Sequence, residues 1–523
     1  MYWARRGIAG AEAAVSATQH GWWRVVTSGG VLAFALVLLI PPHGILSGNE
    51  ENYFALAERF VSGTAWPQET AVFDASPHRA LSDATLGTLV SLAGYAPTQV
   101  VTRLLAAAAY GLVLTRLFRA FGLSALDVAL VVMTMALIGQ DIVGGEWLFG
   151  GYEAKVAAYV LALAGLRSAL VPKRLATATR LFVAATYFHF LVGGFWFVAA
   201  LALVLLSAPR ELRRVAEAAA LFVLSVAPLA GVIAWSRFTD TSAALATDVP
   251  PPDVIYSIVR EPHHQSPFLS WGYFRDYWLP GYLMAAAMLA ASVWAAWRGP
   301  TRQLRVVALW LAGLLFYLLV VLAPKYLDRD TGVLGKFYLF RPSSLVLLLW
   351  LTLVLACATG LLTRRAWLLR TVLLTIVGPA FLYTQGMRVA GDVAGDAALE
   401  REKQPLAAAI VRTAGPRDVV LIDPELEARL LDFERRTGRP TFVMWKFAPT
   451  NDSEIIGWYR RMMLRQSIFD QGCDAGQHTV EFAFLLTTPA KASRLGGNCG
   501  PEAHRAAQWV LLGRNPRTAA GEP

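Results

Sequence analysis

Uninterrupted apolar stretches close to the length of a bilayer crossing recur from about residue 28 to 386, and this recurrence constrains the chain more than any other feature. Val306–Ala323 and Leu345–Leu362 are two of them. A 523-residue chain that is 56% hydrophobic and only 16% charged has too few polar side chains to cover a soluble globule, so lipid must solvate most of it. The first stretch, near residues 30–45, follows Arg5, Arg6 and Arg24 and lacks a small-residue cleavage site, which predicts a retained span and not a signal peptide. The formal net charge of +10 does not point to nucleic acid, because the arginines lie between apolar segments, where they set orientation. The excess of Arg over Lys and the abundance of Ala suggest a bacterial chain in the cytoplasmic membrane.

The short basic loops supply the topology. Arg116/Arg119, Lys173/Arg174, Arg210/Arg213/Arg214, Arg298/Arg302/Arg305 and Arg364/Arg365/Arg370 fall in every second loop, and the positive-inside rule puts all of them in the cytoplasm. Spans are then expected at residues 28–46, 98–119, 124–141, 154–172, 176–191, 193–208, 214–235, 278–297, 306–323, 341–362 and 366–386, about eleven in all, with the N-terminus cytoplasmic. This alternation requires the stretch from Thr177 to Ser207 to be two short helices, with a break expected at Gly193-Gly194. Residues 1–387 form the expected membrane domain, with outer loops at 47–97, 142–153, 236–277 and 324–340.

After Arg388 the chain becomes charged, with strands expected at 419–422, 441–445, 482–487 and 509–512 and helices at 404–412, 425–437 and 453–466. The fold class is therefore a polytopic α-helical membrane protein with a C-terminal soluble α/β domain, residues 388–523, built on a mainly parallel sheet and placed outside the cytoplasm. Cys473 and Cys499 both lie in that tail, where an oxidising compartment would permit a disulfide.

Most acids and histidines sit in the outer loops. Glu50 and Glu51 follow the first span directly, as general-base candidates if their surroundings tune them, or simply as the acidic start of a helix. Asp74 and Asp83 share that loop with His78 and Arg79, as a second acid or as oxygen ligands; a divalent metal is left open, with no zinc spacing to support it. Glu146, Glu153 and Lys155 flank the Gly-rich segment that opens the span at 154, and ionisable groups at such a depth face a cavity, here as candidate substrate- or phosphate-binding groups, or one another. Arg260, His263 and His264 lie between prolines and could bind a phosphate or carry a proton. Lys336 and Arg341, with Lys325 and Arg329, oppose the positive-inside rule in their loop, which suggests anion binding or pairing with Asp328 and Asp330. His189 reads as an intramembrane polar group, and Lys446, Trp458, Tyr459, Arg460 and Arg461 as an aromatic-basic stretch.

The arrangement resembles the GT-C superfamily of membrane glycosyltransferases, which take sugars from polyprenyl-phosphate carriers. The acidic pair and aromatic in Glu50-Glu51-Asn52-Tyr53-Phe54, after a first span, are similar to those of protein O-mannosyltransferases and lipid A aminoarabinose transferases. Here the pair is Glu-Glu preceded by Asn49, where the family normally includes Asp, so the register is open. The resemblance implies a general base at Glu50 or Glu51. It also implies a phosphate-binding role for Arg260, His263, His264, Lys336 and Arg341, with a glycan, lipid or protein as acceptor. A transporter or flippase, working through Glu146, Glu153 and Lys155, and a non-catalytic envelope assembly protein are the alternatives.

Overall fold

Each apolar stretch expected to cross the bilayer contains a helix in the computed structural model, which describes residues 19–41, 48–63, 77–239, 248–473 and 482–513. In chain order the longer helices of the membrane part are α1 (Gln19–Leu38), α2 (Gly48–Ser62), α3 (Ala80–Ala93), α4 (Tyr95–Ala120), α5 (Ala125–Leu137) and α6 (Ala154–Ala169). They continue as α7 (Leu175–Phe188), α8 (Phe190–Ser207), α9 (Leu212–Thr239), α10 (Leu279–Arg298), α11 (Arg302–Val320), α12 (Ser343–Leu362) and α13 (Ala366–Thr413). Among the described residues, six stretches are long and apolar enough to cross a membrane unaided, whereas Gly29–Leu38 and Ala125–Leu137 are shorter apolar helices. One apolar core runs through the bundle, as α1 packs along α4, α6 along α7 and α10 along α11.

Between residues 175 and 207 the chain reverses, and does so at His189, not at Gly193-Gly194 as expected. His189 is extended (φ −154°, ψ 105°) between α7 and α8. Gly193 instead permits close packing. A Cβ there would lie 2.2 Å from the Thr186 backbone nitrogen, so only glycine lets the two helices fold back this closely. A continuous helix would separate these residues by roughly 10 Å along its axis.

The alternation sorts side chains onto two ends of the bundle. At one end Arg370 pairs with Asp127 through two contacts of 2.8 Å, and Gln303 reaches the Ala120 carbonyl at 3.4 Å. The starts of α4, α6, α8 and α12 gather at the other end, with the loops that carry the candidate acids and histidines.

Helix α13 has 48 residues and, at 1.5 Å per residue, is roughly 72 Å long. It therefore outruns the roughly 30 Å hydrocarbon layer and carries the chain straight into the tail domain. There β1 (Val420–Ile422), α14 (Asp452–Gln471), β2 (Phe484–Thr487), α15 (Pro489–Cys499), β3 (Glu502–Arg505) and β4 (Val510–Gly513) follow. The sheet order is β1-β2-β4-β3, with β1 and β2 parallel and both other pairs antiparallel. This corrects the mainly parallel sheet read from the sequence. β2 and β3 run in the same direction, joined through α15, but β4 returns from β3 by a tight turn and inserts between them, so both of its pairings are antiparallel. The strand expected at 441–445 reduces to one bridge, Thr441 to Val420. Cys473, after α14, is disulfide-bonded to Cys499 at the end of α15, as the sequence allowed.

The tail domain is not an isolated lobe. Ala55 of α2 shares an apolar cluster with Leu406, Ile410, Leu426 and Phe433, and Ile255 shares another with Val443, Ile455, Ile456 and Trp458. Fully burying such side chains contributes roughly 1.5–3 kcal/mol each, enough for these contacts to hold the tail over the loops.

Candidate active site

The loop between α5 and α6 makes two left-handed turns, at Gly144 (φ 87°) and Gly145 (φ 64°), conformations that favour glycine. His264 packs beside these glycines and bonds the Gly144 carbonyl through Nδ1. The turn aims Glu146 inward. Its carboxylate accepts from Lys155 Nζ at 2.9 Å and from Arg341 Nε at 2.9 Å. Burial alone would raise the Glu146 carboxyl, but Lys155 and Arg341 hold it well below the usual carboxylate range.

Arg341 is pinned on its other side by His189 Nε2 at 2.7 Å and lies over the Tyr338 ring at 3.9 Å. Lys155 also approaches Glu153 at 3.4 Å and sits over the Trp147 ring at 4.3 Å. Glu153 is 3% exposed and takes a hydrogen bond from Asn49 Nδ2. Among the described residues no guanidinium is bonded to Glu153, unlike each of the two adjacent acids of α2.

Those two acids diverge. Glu50 turns toward the membrane bundle and accepts from Arg103 Nε at 2.7 Å, Gln99 Nε2 at 3.2 Å and the Tyr152 amide at 2.8 Å. Glu51 turns toward the tail domain and is held by both nitrogens of the Arg435 fork, at 2.7 and 3.1 Å. Burial pushes the Glu51 carboxyl above its ordinary value, against the pull of Arg435. A cleft of about 170 Å³ beside Glu51 is lined by Asp396, Glu400, Lys403, Asp432, Arg435 and Arg436.

A band of aromatic and basic groups crosses the same region. Arg79 lies over the Tyr53 ring at 4.6 Å and bonds Asp83 at 3.1 Å. Burial first, then the charge of Glu153, pushes the Tyr53 phenol up to about 12. Tyr256 and Tyr338 share a hydrogen bond at 2.6 Å, and Tyr338 donates to Glu261. Burial and the adjacent His264 push His263 down to about 4, so its imidazole is neutral at pH 7.

Arg260 ends a π-helical turn, Ile255–Arg260. It is 9% exposed, yet its contacts are loose: Glu261 at 3.9 Å, the Lys446 carbonyl at 3.4 Å and the Trp445 ring at 5.7 Å. Its Nε is buried and makes no hydrogen bond among the described residues.

The structure thus brings Glu146, Glu153, Lys155, Arg260, His263, His264 and Arg341 together, with Glu50 at the edge of the set. Lys336 belongs elsewhere, bridging Asp253 at 2.5 Å and Asp452 at 2.7 Å, which ties its loop to the tail. Lys325 is likewise taken, by Asp328 at 3.0 Å. Asp74 lies outside the described residues. Among the described residues no group of three or more His, Cys, Asp or Glu is placed to hold a metal ion.

The chain is similar to ArnT. ArnT from Cupriavidus metallidurans bound to undecaprenyl phosphate shares 12% identity over 95% of this chain and 98% of its own, with a TM-score of 0.45. ArnT from the same organism in the apo state shares 14% identity over 96% of this chain and 99% of its own, with a TM-score of 0.34. No protein-family model and no curated protein matches. Similarity of this degree assigns no residue, and the chemistry has to be read from the side chains.

Sequence reasoning passed over Tyr256 and Tyr338, and also Asp141. Burial pushes the Asp141 carboxyl up to about 6 although the Gly145 and Glu146 amides donate to it, which fastens the glycine turn. Its position directly before the Gly-rich segment was the available signal.

Proposed function

We propose that this chain is a membrane glycosyltransferase that moves a sugar from a polyprenyl-phosphate-linked donor to an acceptor on the outer face of the cytoplasmic membrane. The observation that carries the proposal is the juxtaposition, at one end of the bundle, of a buried carboxylate with no guanidinium partner among the described residues, Glu153, and a buried, loosely held guanidinium, Arg260. Transfer with inversion needs both: a base for the acceptor hydroxyl and a cation for the departing phosphate.

In this mechanism the acceptor oxygen attacks the anomeric carbon as its proton passes to Glu153, and the bond from that carbon to the phosphate oxygen breaks. The electron pair leaves on the polyprenyl phosphate, whose charge Arg260 offsets. Asn49 and Lys155 orient Glu153, while Glu146 and Arg341 hold Lys155 and the glycine turn in place. Glu50 and Glu51 brace α2 against the bundle and the tail through Arg103 and Arg435. The fold agrees with an outer-face site, since this end of the bundle is opposite the basic loops.

The test uses the purified chain with native glycolipid extracts as donor and acceptor source. Glu153→Gln is expected to abolish sugar transfer with the chain still folded, while Glu50→Gln and Glu51→Gln retain measurable turnover. Full activity in Glu153→Gln would overturn the assignment of the base.

A further inference from the structure

The loop that crosses from β1 toward α14 presents Lys446 to the membrane part. Its stem approaches α2 closely: Cε lies 3.8 Å from the Cβ position of Gly48, one residue before Asn49. Arg260, Glu153, Glu261 and Lys155 all act on its ammonium electrostatically, so it faces the cluster described above. Burial first, then Arg260, lowers its pKa from the ordinary lysine value. Among the described residues Lys446 Nζ has no hydrogen-bond or ion-pair partner. Its own carbonyl, in contrast, takes the long 3.4 Å contact from Arg260 Nη2, and the neighbouring Trp445 ring lies under the same guanidinium.

Arg260 meets Glu261 only at 3.9 Å, and among the described residues no acid contacts Lys446 Nζ, so the like charges of Arg260 and Lys446 oppose one another and burial adds a desolvation cost. The usual resolution is a carboxylate between them. Glu153 and Glu261 are near, but Glu153 is engaged by Asn49 and Lys155, and Glu261 by Tyr338. An anion from outside the chain resolves the repulsion instead.

We infer that Lys446 of the tail domain and Arg260 of the membrane part together bind the phosphate of the lipid carrier, so that the site is complete only with the tail docked on α2. This rests on the glycosyltransferase reading and extends it by giving the soluble domain a direct part in binding the leaving group. A monoanionic or dianionic phosphate suits the pair. Arg260 provides a planar fork and Lys446 a point charge, the two complementary ways in which proteins hold phosphate oxygens. Because the cations come from different domains, the tail is a component of the site and not an accessory module.

The experiment measures binding of undecaprenyl phosphate, undecaprenol and inorganic phosphate to the full chain in detergent by thermophoresis. The wild-type chain is expected to bind the phosphorylated lipid well above both the alcohol and inorganic phosphate. Lys446→Met is expected to weaken that binding by roughly tenfold or more, as does Arg260→Met, with Lys446→Arg restoring most of it. Lys446→Gln serves as a second neutral replacement should the methionine variant fail to fold. Unchanged affinity in a folded neutral variant at 446 overturns this inference and leaves the glycosyltransferase reading standing. A wild-type chain that does not distinguish undecaprenyl phosphate from undecaprenol, or binds inorganic phosphate equally well, overturns the carrier reading itself.

Discussion

Two groups of charge lie within one cluster and differ in how they are balanced. Around Glu146 every charge is met: Lys155 and Arg341 each approach at 2.9 Å, and His189 closes the far side of Arg341 at 2.7 Å. Around Arg260 the contacts are loose, and Lys446 brings a second cation with no acid bonded to it among the described residues. A balanced buried network preorganises its surroundings, since removing any member strands the others in a low dielectric. An unbalanced pair stores repulsion that a ligand relieves. The first group therefore reads as scaffold and the second as binding site, with Glu153 at their junction.

This contrast can be broken in four ways. The largest effect belongs to Glu153→Gln: loss of a general base is expected to lower the transfer rate by roughly a hundred- to ten-thousandfold without lowering carrier affinity, as steady-state rates and lipid binding on one preparation would show. Next is Arg341→Met, which leaves Glu146 buried with one partner fewer. Thermal unfolding in detergent should reveal a loss of about 3–5 kcal/mol, and an unchanged melting temperature would mean the balanced group is not a scaffold.

Smaller again is the effect of Glu51→Gln, which removes the charge from the fork of Arg435 and should cost roughly 1–3 kcal/mol. Limited proteolysis should then release the tail domain faster, whereas Glu50→Gln, bonded within the bundle, should not alter tail release. The smallest effect on stability is expected for Arg260→Met, within about 0.5 kcal/mol of the parent, because few interactions are lost. A large destabilisation by Arg260→Met would show that this guanidinium is structural and erase the distinction.

Much of the architecture was legible because membrane insertion is a local property. Leu345–Leu362 reads as a span from its own composition, and each of the eleven expected segments contains a helix, although the first ends at Leu38 and the last continues to Thr413. The break between α7 and α8 was legible in kind and missed in place. Glycine pairs signal breaks, but Gly193 serves close packing, and the chain turns one helical turn earlier at His189. The sheet was harder, since parallel and antiparallel pairing depend on partner choice. The exposed strand β3 carries Glu502, His504 and Arg505, with none of the apolar pattern that marks a strand.

At the site, the sequence marks the loops that carry charge but not which charges meet. Lys336 and Arg341 are five residues apart in one loop, yet Arg341 enters the cluster and Lys336 turns to Asp253 and Asp452. Nothing in their local sequence separates them, because the pairs are made by distant elements. Lys446 was visible only as part of an aromatic-basic stretch, and its meaning depends on where the tail docks.

By itself the sequence determined that this chain lives in a bilayer, that its basic loops alternate, and that its chemistry is gathered at one end. Hydrophobic length and loop charge act through the solvent, whatever the rest of the chain does. Only the tertiary structure decided which charges are spent and which remain. Glu146 meets Arg341 across 195 residues and Glu51 meets Arg435 across 384, and Coulomb attraction in a buried site is strong only at contact. In the proposed mechanism, which carboxylate is left to act as base and which cation to meet a phosphate follows from that packing.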